Sequence, residues 1–152
     1  MTPLEKMREW LKTFPSFDIL GSFQVDYTDR IPNVGSIAPE GLTEVSRQKD
    51  IVGNTAVVNQ YNFGLYFNLM KAPGDDAGAL INADWLMEFQ EWIQEQSITG
   101  EAPVFGDVPN DEKITAQNGQ LYQADGEGTA VYMIQLSVQF IKKVKVNNPW
   151  LT

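Results

Sequence analysis

The chain of 152 residues contains no cysteine and no histidine. The first absence excludes disulfide staples, thiolate nucleophiles and the cysteine-based zinc sites. The second removes the side chain that most often serves as a general base near neutral pH, and with it every Ser-His or Cys-His arrangement. Acid–base chemistry would have to rest on carboxylates, lysine or tyrosine. The expectation is a protein that is not an enzyme and takes no cofactor or metal. Long apolar runs are also lacking: none approaches the roughly 18 residues of a membrane-spanning helix, so no membrane partner is expected. The opening MTPLEKMREWLKTF mixes charges among its apolar residues and has no signal-peptide core, which points to synthesis in the cytoplasm.

Basic residues are missing from the whole interval between Lys71 and Lys113. The same interval carries Asp75, Asp76, Asp84, Glu88, Glu91, Glu95, Glu101, Asp107, Asp111 and Glu112, and the net charge of the chain is −9. Such a chain is poorly suited to wrapping a phosphate backbone, which needs clustered Lys and Arg. The acidic interval reads either as a solvated surface that keeps the protein soluble, or as one that repels polyanions or meets a basic partner.

What is present suits one globular domain. Hydrophobic residues make up 43% of the chain and aromatics 11%, ordinary values for a folded domain. The chain divides as a single domain over 1–146 and a C-terminal tail over 147–152. Its organising stretch is Asn82–Gln96, NADWLMEFQEWIQEQ. Trp85, Leu86, Phe89, Trp92 and Ile93 fall on one helical face, and Asp84, Glu88, Glu91 and Glu95 on another. Asn82 is a candidate N-cap. An earlier helix is expected over Leu4–Phe14: Thr2 and Glu5 form a capping-box pattern, Pro3 suits the first helical position, and Pro15 would end the helix.

Strand signals fill the rest. Phe23, Val25 and Tyr27 alternate with polar residues within Phe17–Thr28, and Gly41–Arg47 gives a second alternation. Between them, Asp29–Glu40 reads as a loop because it holds Pro32, Gly35 and Pro39. Gly53-Asn54 marks a turn. Thr55–Met70 is a long strand whose apolar residues Val57, Tyr61, Phe63, Leu65, Phe67 and Leu69 share one parity. Pro73-Gly74-Asp75-Asp76 ends it, and Ala77–Ala79 make a loose entry to the helix. Ser97–Asp111 reads as a long connection. Glu112–Ala124 is either a strand pair or one bent strand, with Asn118-Gly119 as a turn or bulge. Ala124–Gly128 is a turn, and Thr129–Val146 a second long strand with Tyr132, Ile134, Leu136, Val138 and Phe140 on one face. Short turns between neighbouring strands imply an α+β domain: a mostly antiparallel sheet with two helices packed on one face. Phe89 and Trp92 are expected on the odd face of the first long strand and the even face of the second.

No phosphate-cradling glycine loop, paired-cysteine site or nucleophile elbow is present. Asp75-Asp76 could offer oxygens to calcium, but a calcium loop supplies more ligands at set spacing. The helix carboxylates Asp84–Glu95 could pair for acid–base work, yet a helical acidic stripe usually faces solvent. Trp10, Trp85, Trp92 and Trp150 could stack bases, but no interleaved Lys or Arg accompanies them; the first three read better as core. Lys142, Lys143 and Lys145 form a basic end of the last strand, placed to meet an acidic partner.

The runs LKTFPSFDIL with FQVDYTD, then NQYNFGLYF, then PGDDAGALINADWLMEFQEWIQEQSITGEAPVFGD, then AQNGQLYQADGEGTAVYMIQLSVQF resemble a family of small phage and prophage structural proteins of Gram-positive hosts, grouped among minor capsid or tail proteins. The order of elements is similar to that of tail terminator proteins. The resemblance implies a tail-terminator-like α+β subunit that forms a homo-oligomeric, hexameric ring. That ring would cap the tail tube protein, join the tail to the head connector or neck protein, and let DNA pass without specific binding. It implies a place at the head-proximal end of the virion tail, after assembly in the host cytoplasm, and brings no catalytic residues. The alternatives are a head-completion or neck protein of the same virion, or a soluble ligand-binding or carboxylate-based enzyme domain. On the ring reading, Asp75, Asp76, Asp107 and Asp111 are the candidates to face the channel.

Overall fold

The structure is a computed structural model that describes residues 1–26, 32–71, 74–108, 111–124 and 128–145. Tyr27 and Thr28 of the first expected strand, the start of the expected loop at 29–31, Pro73, the centre of the turn at 125–127, Val146 and the tail 147–152 with Trp150 lie outside the described residues. The elements run α1 (Pro3–Leu11), a single 3-10 turn (Phe17–Ile19), β1 (Ser22–Val25), β2 (Val34–Lys49), β3 (Thr55–Met70), α2 (Asp76–Thr99), β4 (Lys113–Ala124) and β5 (Thr129–Val144).

The fold is α+β, built on one five-stranded sheet of order β1-β2-β3-β5-β4. The β2–β3, β3–β5 and β4–β5 pairs are antiparallel, while β1 runs parallel to β2. The sheet is therefore mixed, though mostly antiparallel. β3 and β5 pair without a break from Thr55↔Val144 to Met70↔Thr129. That regular register places Phe63, Leu65 and Phe67 beside Leu136, Ile134 and Tyr132 on one face, all of them buried.

The helices close that face. α2 lays Trp85, Leu86, Phe89 and Ile93 toward the core, and Phe89 sits edge-on to Phe67 with ring centres 5.6 Å apart. Trp92 turns instead toward α1: it stacks on Trp10 at 5.1 Å and lies 5.4 Å from Phe14. Of the pair expected to pack on the sheet, Phe89 makes a ring contact with β3 and Trp92 joins the two helices. Trp10 Nε1 donates to Gln96 Oε1 at 3.1 Å, and Trp85 Nε1 donates to Ser16 O at 2.9 Å. Each indole thus buries its ring while its N–H keeps a partner.

Several sequence boundaries change. α1 has the expected capping box, with Glu5 N–H donating to Thr2 Oγ1. It ends at Leu11 with Lys12 as C-cap, so the chain leaves the helix before Pro15. α2 starts six residues before Asn82, at Asp76, and continues past Gln96 to Thr99. Its cap is Asp75, whose Oδ1 accepts from Gly78 N–H at 2.9 Å. A Cβ at position 78 would collide with that carboxylate, so the glycine that read as a loose entry is what lets the cap close. Asn82 instead donates to Met70 O at 2.9 Å, tying the helix to the end of β3. Replacing Asp75 with Ala is expected to cost about 1 kcal/mol; urea unfolding against the parent checks it.

The expected loop 29–40 is also revised: β2 begins at Val34 and runs through Gly35 and Pro39. Gly35 packs beneath Phe23 and Phe67, where a Cβ would sit 2.9 Å from Phe23 Cδ1. Pro39 lies beside a register shift between Pro39 and Leu42, the kind of position where a strand tolerates proline. A second shift between Glu44 and Ser46 breaks the simple alternation of Gly41–Arg47, so Leu42 and Arg47 share the helix side, opposite Tyr61 and Val57. β4 is a single strand bulged at Asn118-Gly119, with Asn118 at φ 56°.

Candidate assembly surfaces

Two surfaces stand out from the folded core. The first is the sheet face opposite the helices. Its side chains are mostly amides and hydroxyls bonded across the strands. Asn62 Nδ2 donates to Thr43 Oγ1 at 3.2 Å, Gln60 Nε2 to Asn62 Oδ1 at 2.7 Å, and Gln139 Nε2 to Gln60 Oε1 at 2.9 Å. Thr115 and Ser137 share a bond of 2.8 Å, and Asn118 Nδ2 donates to Gln135 Oε1 at 2.7 Å. An open hollow of about 350 Å³ lies among them, and among the described residues the one ionisable side chain lining it is Glu40. Gly64 makes the space: a Cβ there would run into Glu40 Oε1 and crowd Tyr66. Burial, then the Glu40 carboxylate and Tyr122, push the Tyr66 phenol above its ordinary pKa, so it stays protonated and neutral at physiological pH.

The second surface is an arm. Among the described residues, β2 loses its outer neighbour after Ile37, where the β1 ladder stops. From Pro39 to Lys49 every residue of β2 is exposed. Leu42 is 54% exposed and Ile51, in the turn, fully so. The arm ends beside the last turns of β5. There Lys49, Lys143 and Lys145 line a groove of about 400 Å³ together with Asp50. Lys142 lies opposite Val57 on the helix side. Arg47 at the same end is bridged to Glu44 at 2.7 Å, an exposed pair of little energetic weight. The basic end of the last strand is thus joined by cations of the arm.

The acidic candidates for the channel divide between opposite ends of the sheet. Asp75 and Asp76 stand at the start of α2, near the end of β3, with Asp75 spent as a cap and Asp76 exposed. Asp107 and Asp111 lie at the other end. Asp107 N–H donates to Ile141 O at 2.8 Å, and its Oδ2 accepts from Lys143 N–H at 2.7 Å. That carboxylate therefore sits at the basic end. Asp111 is exposed just before β4.

The remaining candidates scatter. Asp84, Glu88, Glu91 and Glu95 are exposed along the outside of α2. Among the described residues no three acidic side chains gather as a metal site would need. Trp10 and Trp85 are buried and Trp92 is half-buried, each in aromatic contacts of the core. Sequence reading missed Glu40, placed at the end of a supposed loop, and Glu112, whose Oε1 accepts from Phe105 N–H and Gly106 N–H at 2.9 and 3.1 Å. The isolated Val104-Phe105 pair was the available signal for the second: an apolar pair inside a polar connection needs something to hold it down. No protein-family model matches the chain, and no curated protein is significantly similar to it.

Proposed function

We propose that the chain is a non-enzymatic structural subunit of a phage tail, a tail terminator or tail-to-head joining protein that closes the tube as a hexameric ring and offers a docking surface to the head connector. The observation that carries this reading is the arm. A strand exposed along its outer half, with bare apolar side chains at its tip, is costly in an isolated subunit and useful in an assembled one. The acidic outer face of α2 and the basic arm end supply unlike patches, which a ring of head-to-tail contacts requires. The sequence runs resembling phage structural proteins support the same reading.

The test is electron microscopy of purified tail tubes incubated with the protein. Rings at the head-proximal tip are expected. Binding only to filled heads would instead assign it as a head-completion or neck protein, and no binding to either would refute the proposal.

The ring reading also sets an expectation for DNA passage. Duplex DNA carries one charge per roughly 1.7 Å of axis, so a basic wall would hold it. Asp76 and Asp111 are the cleaner probes, since Asp75 caps α2 and Asp107 binds the β5 backbone. With Asp76→Lys and Asp111→Lys, tail length and head joining should persist while DNA ejection slows in low salt and recovers in high salt. Ejection unchanged at every ionic strength would place these carboxylates away from the channel.

A further inference from the structure

We infer that copies of this chain join edge to edge, the free edge of β2 over Pro39–Lys49 in one copy pairing antiparallel with the β4 edge of the next. The inference rests on the ring reading above and names the contact that closes the ring.

The two edges differ in a way that suits them to each other rather than to themselves. From Ile114 to Ala124, β4 carries neither charge nor proline, and it is exposed from Gln117 onward. An edge strand left so plain is normally covered, because its unpaired backbone groups invite another strand. The β2 edge carries Pro39, Glu44, Arg47 and Lys49, which discourage pairing with its own kind. The edges lie on opposite flanks of the sheet. β2 is antiparallel to β3, β3 to β5, and β5 to β4. A second copy set beside β4 in the same orientation therefore presents its β2 antiparallel, and the contact repeats in one direction. The free part of β2 lies at the arm end and the exposed part of β4 at the other, so neighbours step along the strand axis. A stagger of that kind tilts the strands, as closing a sheet on itself requires.

Side chains agree with the backbone. On the helix side, a groove of about 310 Å³ runs along the start of β4, lined by Gln90, Glu91 and Gln94 of α2. The arm turns Leu42, Glu44, Arg47 and Lys49 to that same side, opposite Tyr61, Asn59, Val57 and Thr55 of β3, with Arg47 bridged to Glu44. Pairing the arm with β4 thus sets Lys49 against the groove that holds Glu91. Pairing β4 with itself about a two-fold axis would set Glu91 and its acidic neighbours on α2 against their own copies.

Because the chain has no cysteine, introduced thiols report this contact alone. Val45 and Leu121 are 49% and 47% exposed, so neither change disturbs the core. On oxidation, the Val45→Cys and Leu121→Cys double variant should give a covalent ladder beyond dimers. Lys49→Glu in that background should cut cross-linking about tenfold, and adding Glu91→Lys should restore it. Dimers from Leu121→Cys alone would mean that β4 pairs with itself and would overturn the inference. Rings seen by electron microscopy without cross-links would overturn it too, leaving the ring reading intact. Neither rings nor cross-links, with tail tubes present, would overturn both. A ladder in free protein that never caps a tube would keep the edge contact and sink only the tail assignment.

Discussion

Phe89→Ala is expected to destabilise the protein by about 3–5 kcal/mol, a large part of the stability of a domain this size. Phe89 has no solvent exposure. Its ring meets Phe14 at 5.0 Å and Phe17 at 6.4 Å from the N-terminal segment, Phe67 at 5.6 Å from β3, and Trp85 and Trp92 at 5.5 and 6.1 Å within α2. Truncation therefore opens a cavity where three parts of the chain converge, and large neighbouring rings cannot collapse into it without leaving their rotamers. Trp92→Ala should cost less. Trp92 is only partly buried, and its ring contacts run to Trp10 and Phe14 as well as to Phe89. Urea unfolding of the two variants measures the order directly. A Phe89→Ala loss below that of Trp92→Ala would mean that α2 is not seated on β3.

The elements that were legible in the sequence are those in which one periodicity runs unbroken. Thr55–Met70 was bounded correctly because β3 has neighbours on both sides and no register shift against β5. The core side chains of α2 were legible for a similar reason: Trp85, Phe89 and Ile93 repeat at helical spacing. Its length was not, because Leu80, Ile81, Met87 and Ile98 are exposed and blur the stripe toward both ends. β2 was cut in half by signals that are locally true. Gly35 and Pro39 do weaken a strand, but Gly35 is required by the rings packed on it, and Pro39 falls at a bulge. The parallel pairing of β1 with β2, and the strand order that leaves two unlike edges free among the described residues, depend on contacts far apart in the chain. Among the candidate surfaces, the lysines of β5 were visible as a run. Their company with Lys49 of the arm emerged only from the fold.

Gly106→Ala is expected to cost about 2–4 kcal/mol and to loosen the basic end of β5, although the position lies in an irregular connection. A Cβ at 106 would strike the backbone of Ile141, its carbonyl oxygen first. Backbone in a paired strand cannot swing away as a side chain can, so the connection itself must lift. Lifting it strains or breaks the bond from Asp107 N–H to Ile141 O, and the bond from Lys143 N–H to the Asp107 carboxylate. At a net value of roughly 1 kcal/mol each, those two bonds supply the lower bound. The remainder comes from Phe105, half-buried against Phe140 and Tyr61 at 6.3 and 6.5 Å, and from the Glu112 carboxylate that holds the amides of Phe105 and Gly106. Two other glycines serve as controls. A Cβ at Gly64 would meet the tip of Glu40, and one at Gly119 the tip of Gln90. Those tips can turn aside, and the Tyr66 ring that Gly64 also faces is a half-buried side chain rather than paired backbone, so Gly64→Ala and Gly119→Ala should each cost less than Gly106→Ala. Hydrogen exchange separates a local effect from a global one: in Gly106→Ala the amides of Ile141–Lys143 should exchange faster, while those of Leu65 and Ile134 keep their protection relative to global stability. Equal costs for all three glycines would show that the connection is not clamped to β5. The Lys142–Lys145 end would then be an unsupported strand terminus.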